Sequence, residues 1–237
     1  MDTSRTDTSR TDTSRIIDML HDVRSVTTED PIVKLIRDIE SAVDFDGYFR
    51  SIGSPKLPNE FYGKSGYQHY RLLAYLSTLC NHTTILDVGT QYGDSAFALS
   101  YNTTNVVHSL DIENMEKGAG TLRRDNIRYH YDNLFGAGPE ADAARERWTP
   151  LILSSPLIFL DVDPHNGTME WEFFQFLCRI GYRGVMVCDD ILHFEAMRTE
   201  FWDRIQEVAK YDFTRAGHWS GCGVLDFSDR SLCVVTP

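Results

Sequence analysis

The sequence predicts an α/β fold: a mostly parallel seven-stranded sheet with helices on both faces, closed by an antiparallel C-terminal hairpin. Three observations carry this. Apolar runs that end in aspartate alternate with amphipathic helical stretches along the chain. The run at residues 85–88 meets a turn containing Gly89 and Gly93, then continues as Ser95-Ala96-Phe97-Ala98-Leu99, the pattern of a buried parallel strand feeding a helix. Residues 213–218, 221–227 and 232–235 read as β segments on short turns, with Ser220-Gly221 as a hairpin turn.

The elements follow in order. Residues 1–15 repeat Thr-Asp-Thr-Ser-Arg almost perfectly. Polar low-complexity sequence has nothing to bury, so 1–28 reads as a disordered tail and 29–237 as one folded domain. Pro31 opens an amphipathic helix with Ile32, Leu35, Ile36, Ile39 and Val43 on one face. Residues 51–64, with Gly53, Pro55, Pro58 and Gly63, read as a loop, and 67–76 as a second helix. Beyond the first strand and its helix, 105–111 reads as strand two, 115–124 as a short helix and 127–131 as strand three. Then come a helix over 141–148, strand four over 157–161, and a helix over 169–180 with Trp171, Phe174, Leu177 and Cys178 inward. Strand five spans 184–189, and 194–209 reads as a helix. Ligands on such sheets lie at the carboxyl ends of the strands, and acids end four of them: Asp87, Asp111, Asp161 and Asp189.

The chain has 237 residues, enough for one α/β domain with a full core. Its 23 Lys and Arg against 35 Asp and Glu leave a net charge of −12. That balance excludes a nucleic-acid backbone as the main partner, which needs a basic face. Part of the acidic excess suits a bound cation, and the rest a solvated surface. The five cysteines include no Cys-x-x-Cys pair, and four sit in apolar surroundings. They read as reduced thiols of a cytoplasmic protein. The polar N-terminus lacks an apolar leader, and no apolar run is long enough to span a bilayer, so no membrane partner is expected.

Two constellations carry the chemistry. In the first, Asp87-Val88-Gly89-Thr90-Gln91-Tyr92-Gly93 has Gly-x-x-x-Gly spacing, not the Gly-x-Gly-x-x-Gly of a nicotinamide or flavin turn. Gly89 admits a close approach to the backbone, and the N–H groups of the following helix start suit a carboxylate or another anion. In the second, Asp161-Val162-Asp163-Pro164-His165 ends strand four and Asp189-Asp190 ends strand five. Carboxylates gathered on neighbouring strand ends repel one another. A hard divalent cation resolves this, and oxygen ligands favour magnesium, manganese or calcium over zinc. Helix capping is the alternative role for the same aspartates.

With these residues in view, the chain resembles the catechol O-methyltransferase-like group of metal-dependent S-adenosylmethionine (SAM) O-methyltransferases over residues 60–227. The resemblance implies a Rossmann-like methyltransferase fold. It implies that Asp87, Gly89, Thr90, Gln91 and Gly93 form the cofactor turn, that Ser95 contacts the cofactor carboxylate, and that Asp111 holds the ribose. Asp132 and Asn133 would meet the adenine, and Gly63, Lys64 and Ser65 would cover the methionine end. Asp161, Asp189 and Asp190 would bind magnesium. The Asp-Asp pair and the Asp161-x-Asp163 pattern look more like the sugar- and antibiotic-tailoring branch typified by macrocin O-methyltransferase.

One departure matters. Catechol-type enzymes carry a catalytic lysine three residues after the strand-four aspartate, where this chain has Pro164. The proton acceptor is therefore sought among His165, Asp163 and His193, and a neutral imidazole suits the task. His193, Phe194, His218 and Trp219 are expected to shape the acceptor pocket. The implied activity is methyl transfer from SAM to a hydroxyl of a vicinal diol, on a sugar, a glycan or a catechol, with a divalent metal as template. The rivals are a metal-independent small-molecule methyltransferase, a nicotinamide oxidoreductase and a non-catalytic SAM-binding domain.

Overall fold

The predicted strands from 84 to 189 all form, and their aspartate ends lie along one edge of a single sheet. A computed structural model describes residues 12–25, 29–44, 47–48, 68–89, 91–114 and 121–228. The strands are β1 (Thr84–Val88), β2 (Val106–Asp111), β3 (Ile127–Tyr131), β4 (Leu157–Leu160), β5 (Val185–Asp189), β6 (Ala209–Asp212) and β7 (Cys222–Asp226). They join in the order β3-β2-β1-β4-β5-β7-β6. The first five are parallel, and β7 runs antiparallel to both β5 and β6. The mostly parallel sheet with an antiparallel C-terminal pair is as predicted.

The helices are α1 (Asp12–Arg24), α2 (Pro31–Ala42), α3 (His69–Thr78), α4 (Asp94–Leu99), α5 (Pro139–Ser154) and α6 (Thr168–Ile180). Side chains alternate across a strand, so each central strand feeds two cores. Ile85, Val107, Leu157, Phe159, Val185, Val187 and Val224 pack with α1 to α4. Leu86, Val88, Leu110, Ile158, Leu160, Met186, Cys188 and Leu225 pack with α5 and α6. Burial on both faces explains why these strands read as continuous apolar runs. Among the described residues, no helix is long and apolar enough to cross a membrane. Cys80, Cys178, Cys188 and Cys222 are buried thiols, and burial raises the pKa of Cys80 to about 12; Cys233 lies outside the described residues.

The structure corrects several expectations. Residues 12–24, assigned to a disordered tail, form α1. Ile16 and Leu20 are fully buried in the core beside α2, and Arg24 stacks 4.3 Å from the Tyr211 ring. The amphipathic Ile16, Leu20 and Val23 outweigh the polar repeat. Leu20→Ala should therefore lower unfolding stability by about 2–5 kcal/mol, measured by urea denaturation; a change below about 0.5 kcal/mol would show that α1 is not a core element. The second correction concerns 194–209. A π-helical turn (Met197–Phe201) and a 3-10 turn (Trp202–Arg204) replace the expected regular helix, and Lys210 Nζ bonds the Trp202 carbonyl at 2.6 Å. Third, β6 ends at Asp212, and Phe213 begins a turn in which the Ala216 and Gly217 amides bond its carbonyl. Phe213 and Ala216 are buried by that turn, which is why they read as a strand. Residues 121–124 carry no helix. The predicted helix at 115–120 and strand at 232–235 lie outside the described residues, as do Gly63, Lys64 and Ser65.

Candidate active site

The strand order reverses between β1 and β4, so the connections leaving these two strands part and open a cleft at their carboxyl ends. The cleft measures about 450 Å³, and its walls include Gly89, Gln91, Asp111, Asp132, Asn133, Asp161, Asp163 and His165. Gly89 sits at φ 94°, and a Cβ there would overlap the Asp161 carbonyl, so only glycine lets β1 and the end of β4 approach this closely.

Asp111 ends β2 and joins the two sides of the turn. Its Oδ2 accepts the Gln91 amide at 2.9 Å and its Oδ1 accepts the Glu113 amide at 2.8 Å. Ile112 and Tyr92 add apolar surface to the wall, although both are exposed. Asp132 is tied to Arg147 at 2.6 Å and to the Trp148 indole at 2.7 Å. Burial pushes its carboxyl pKa up, but these bonds hold it below the ordinary value. Asn133 accepts the Phe135 amide at 2.9 Å.

Three predicted cofactor residues stand behind this wall. Asp87 is fully buried and accepts the Ser109 hydroxyl, Ser95 is buried, and Gly93 packs against the Tyr129 hydroxyl. Helix α4 is only six residues long and carries Asp94 in its first turn, an acid that works against an incoming carboxylate. Thr90 lies outside the described residues.

The acidic rim is divided. Asp161 and Asp190 face the same imidazole: His165 Nδ1 lies 3.9 Å from Asp161 Oδ1 and 3.7 Å from Asp190 Oδ2. Nε2 of that ring is 3.2 Å from the exposed carboxylate of Asp163. Asp189 turns elsewhere, with Oδ1 2.7 Å from His218 Nε2 and Oδ2 3.8 Å from His69 Nε2. Burial and the charges of Asp189, Asp190, Asp87 and Asp163 hold the Asp161 carboxyl pKa well above the ordinary value. Burial and Asp189 raise that of Asp190. Burial also acts to raise Asp189, but its two imidazole neighbours more than offset this and hold it low. Burial alone would lower the His218 pKa, but the Asp189 bond raises it. His69, fully enclosed, is pushed down to about 4 by burial.

Backbone strain marks the same place. Among the described residues, the non-glycine positions at positive φ are His82, Gln91, His165 and Asp190, and the last three adjoin the cleft or its acidic rim.

Other predicted residues separate. His193 is exposed and packs against Phe194 at 4.1 Å and Trp219 at 5.2 Å, away from the His165 group. His218, expected in an acceptor pocket, is 6% exposed and belongs to the interior. Sequence reasoning missed His69 and Glu170. His69 begins a helix between Gln68 and Tyr70, with no neighbour at a spacing that signals chemistry. Glu170, in the first turn of α6, is buried, and no hydrogen bond of good geometry reaches either carboxyl oxygen. Burial raises its pKa, and only partial relief comes from the amides of Glu170 and Gly167 and from His165.

No protein-family model matches the sequence, and a search of curated proteins finds no match. Solved structures do share the architecture. A candidate caffeoyl-CoA O-methyltransferase from Staphylococcus aureus superposes with a TM-score of 0.50 at 14% identity, over 89% of this chain and 96% of its own. The fold is the Rossmann-like methyltransferase fold. MycE, a methyltransferase of the mycinamycin biosynthetic pathway in complex with Mg, SAH and mycinamycin VI, superposes with a TM-score of 0.51 at 10% identity. That match covers 80% of this chain and 54% of MycE, so this chain spans about half the length of that protein.

Proposed function

We propose that the chain is a SAM-dependent O-methyltransferase that transfers a methyl group to one hydroxyl of a vicinal diol, on a sugar or glycan, with a divalent cation as template. The observation that carries it is the pairing of the β1–β2 cleft with Asp161, Asp190 and His165 at its rim. The cleft fits a nucleoside-sized ligand. Asp111, at the end of β2, stands where a ribose diol would bond a carboxylate, with Ile112 and Tyr92 as apolar neighbours. Asp161 and Asp190 offer oxygen ligands, and their raised pKa values are those of carboxylates in need of a cation. The neighbour MycE, solved with Mg and SAH, supports the same reading.

When bound, SAM supplies the activated methyl group and the cation supplies Lewis acidity. The chain's own residues supply alignment and a proton acceptor. Asp161 and Asp190 hold the cation. Asp163 orients His165 by accepting its Nε2–H, which leaves the Nδ1 lone pair facing the two carboxylates. His165 then takes the acceptor's hydroxyl proton at Nδ1. His165→Ala should slow turnover by about 100-fold while changing manganese affinity by less than about threefold; an equal loss of affinity would make His165 a ligand instead.

Thermal unfolding with added ligands tests the cofactor assignment. S-adenosylhomocysteine should raise the melting temperature by mass action, and NAD should not. Stronger stabilisation by NAD would overturn it.

A further inference from the structure

We infer that His218 holds Asp189 away from the cation, so that Asp161 and Asp190 are the carboxylate ligands and the third aspartate is kept in the protein interior. The inference rests on the cation reading proposed above. Its ground is the pleat of β5. Asp189 shares the strand face of Val185 and Val187, which looks toward α3 and His69. Asp190, one residue on and at φ 57°, turns the other way and meets His165.

Spacing separates the two groups chemically. Two ligands bound to one ion at about 2.1 Å lie about 3 Å or more apart. The 3.7 and 3.9 Å separations around His165 allow this. The 2.7 Å between His218 Nε2 and Asp189 Oδ1 is instead a hydrogen bond.

A proton count gives the same answer. A carboxylate has no proton to give, so His218 Nε2 donates to Asp189. The Ser220 hydroxyl bonds His218 Nδ1 from the other side of the ring. Both imidazole nitrogens are thus engaged in hydrogen bonds within the protein, and neither faces an open ligand position. His69, Asp189 and His218 lie close enough together to suggest a second metal site, but the hydrogen bond between Asp189 and His218 already uses one ligand atom of each. His218 is thus a positioning residue, acting on Asp189 directly.

Manganese titration of the full chain by calorimetry tests this. Asp190→Asn should weaken binding about 100-fold, whereas Asp189→Asn should stay within about threefold of wild type. His218→Gln releases Asp189 toward the ion and should tighten binding about tenfold, and adding Asp189→Asn to it should reverse the gain. If Asp189→Asn alone does not fold, the doubly substituted chain, whose pair is neutral, supports the same comparison against His218→Gln. Equal losses in Asp189→Asn and Asp190→Asn, or a His218→Gln protein that binds manganese like wild type, would overturn the inference while the cation reading stands. A wild-type chain that binds no manganese would overturn both.

Discussion

Asp161→Ala and Asp190→Ala should each reduce methyl transfer by about 100-fold or more, because a template cation contributes several kcal/mol to the transition state. Cofactor affinity should be largely spared. The residues that line the cofactor part of the cleft lie at the carboxyl ends of β1 and β2 and in the turns after β1, β2 and β3, and Asp161 belongs to the rim beyond β4. Single-turnover rates alongside S-adenosylhomocysteine affinity separate the two effects. Variants that lose cofactor affinity and keep the rate of the bound complex would show these carboxylates to be part of the cofactor site.

The second large effect is expected at Asp111. Its carboxylate accepts the Gln91 and Glu113 amides and so fixes the turn on both sides of the cleft. Asp111→Ala removes a proposed ribose partner and frees both amides. A hydrogen bond to a charged group contributes about 1.5–3 kcal/mol, so S-adenosylhomocysteine should bind about 10- to 150-fold more weakly. Asp111→Asn, which keeps one acceptor oxygen, should lose less. Unchanged affinity in Asp111→Ala would place the nucleoside elsewhere.

Much of this architecture is legible in the sequence for a physical reason. Strands buried on both faces read as apolar runs, so 157–160 and 185–188 stand out, as does 85–88 with Asp87 as its one polar residue, and Asp161 and Asp189 mark the carboxyl edge. Asp163 and His165 lie within four residues of Asp161, and Asp190 directly follows Asp189, so the same edge brings them into view.

Asp189 shows where the rule stops. Two consecutive residues at a strand end point to opposite faces, so Asp189 and Asp190 could not both be assigned to one cation without knowing which face carried which partner. That partner, His69, comes from a helix about 120 residues earlier, and its neighbours Gln68, Tyr70 and Arg71 form no recognisable ligand spacing with it. The α1 helix was hidden differently. The Thr-Asp-Thr-Ser-Arg repeat runs into its first turn, and the buried positions Ile16 and Leu20 begin only where the repeat ends. The π-helical turn at Met197–Phe201 has no periodic signature of its own, since Met197 and Phe201 keep the four-residue spacing of an ordinary helix.

Transfer of labelled methyl from SAM to a polyol and to a catechol, with magnesium and with EDTA, tests the central claim most directly. The account predicts transfer to the polyol with magnesium, and about 1% of that rate or less in EDTA. Full transfer in EDTA would contradict it and would make the aspartates at the ends of β4 and β5 structural.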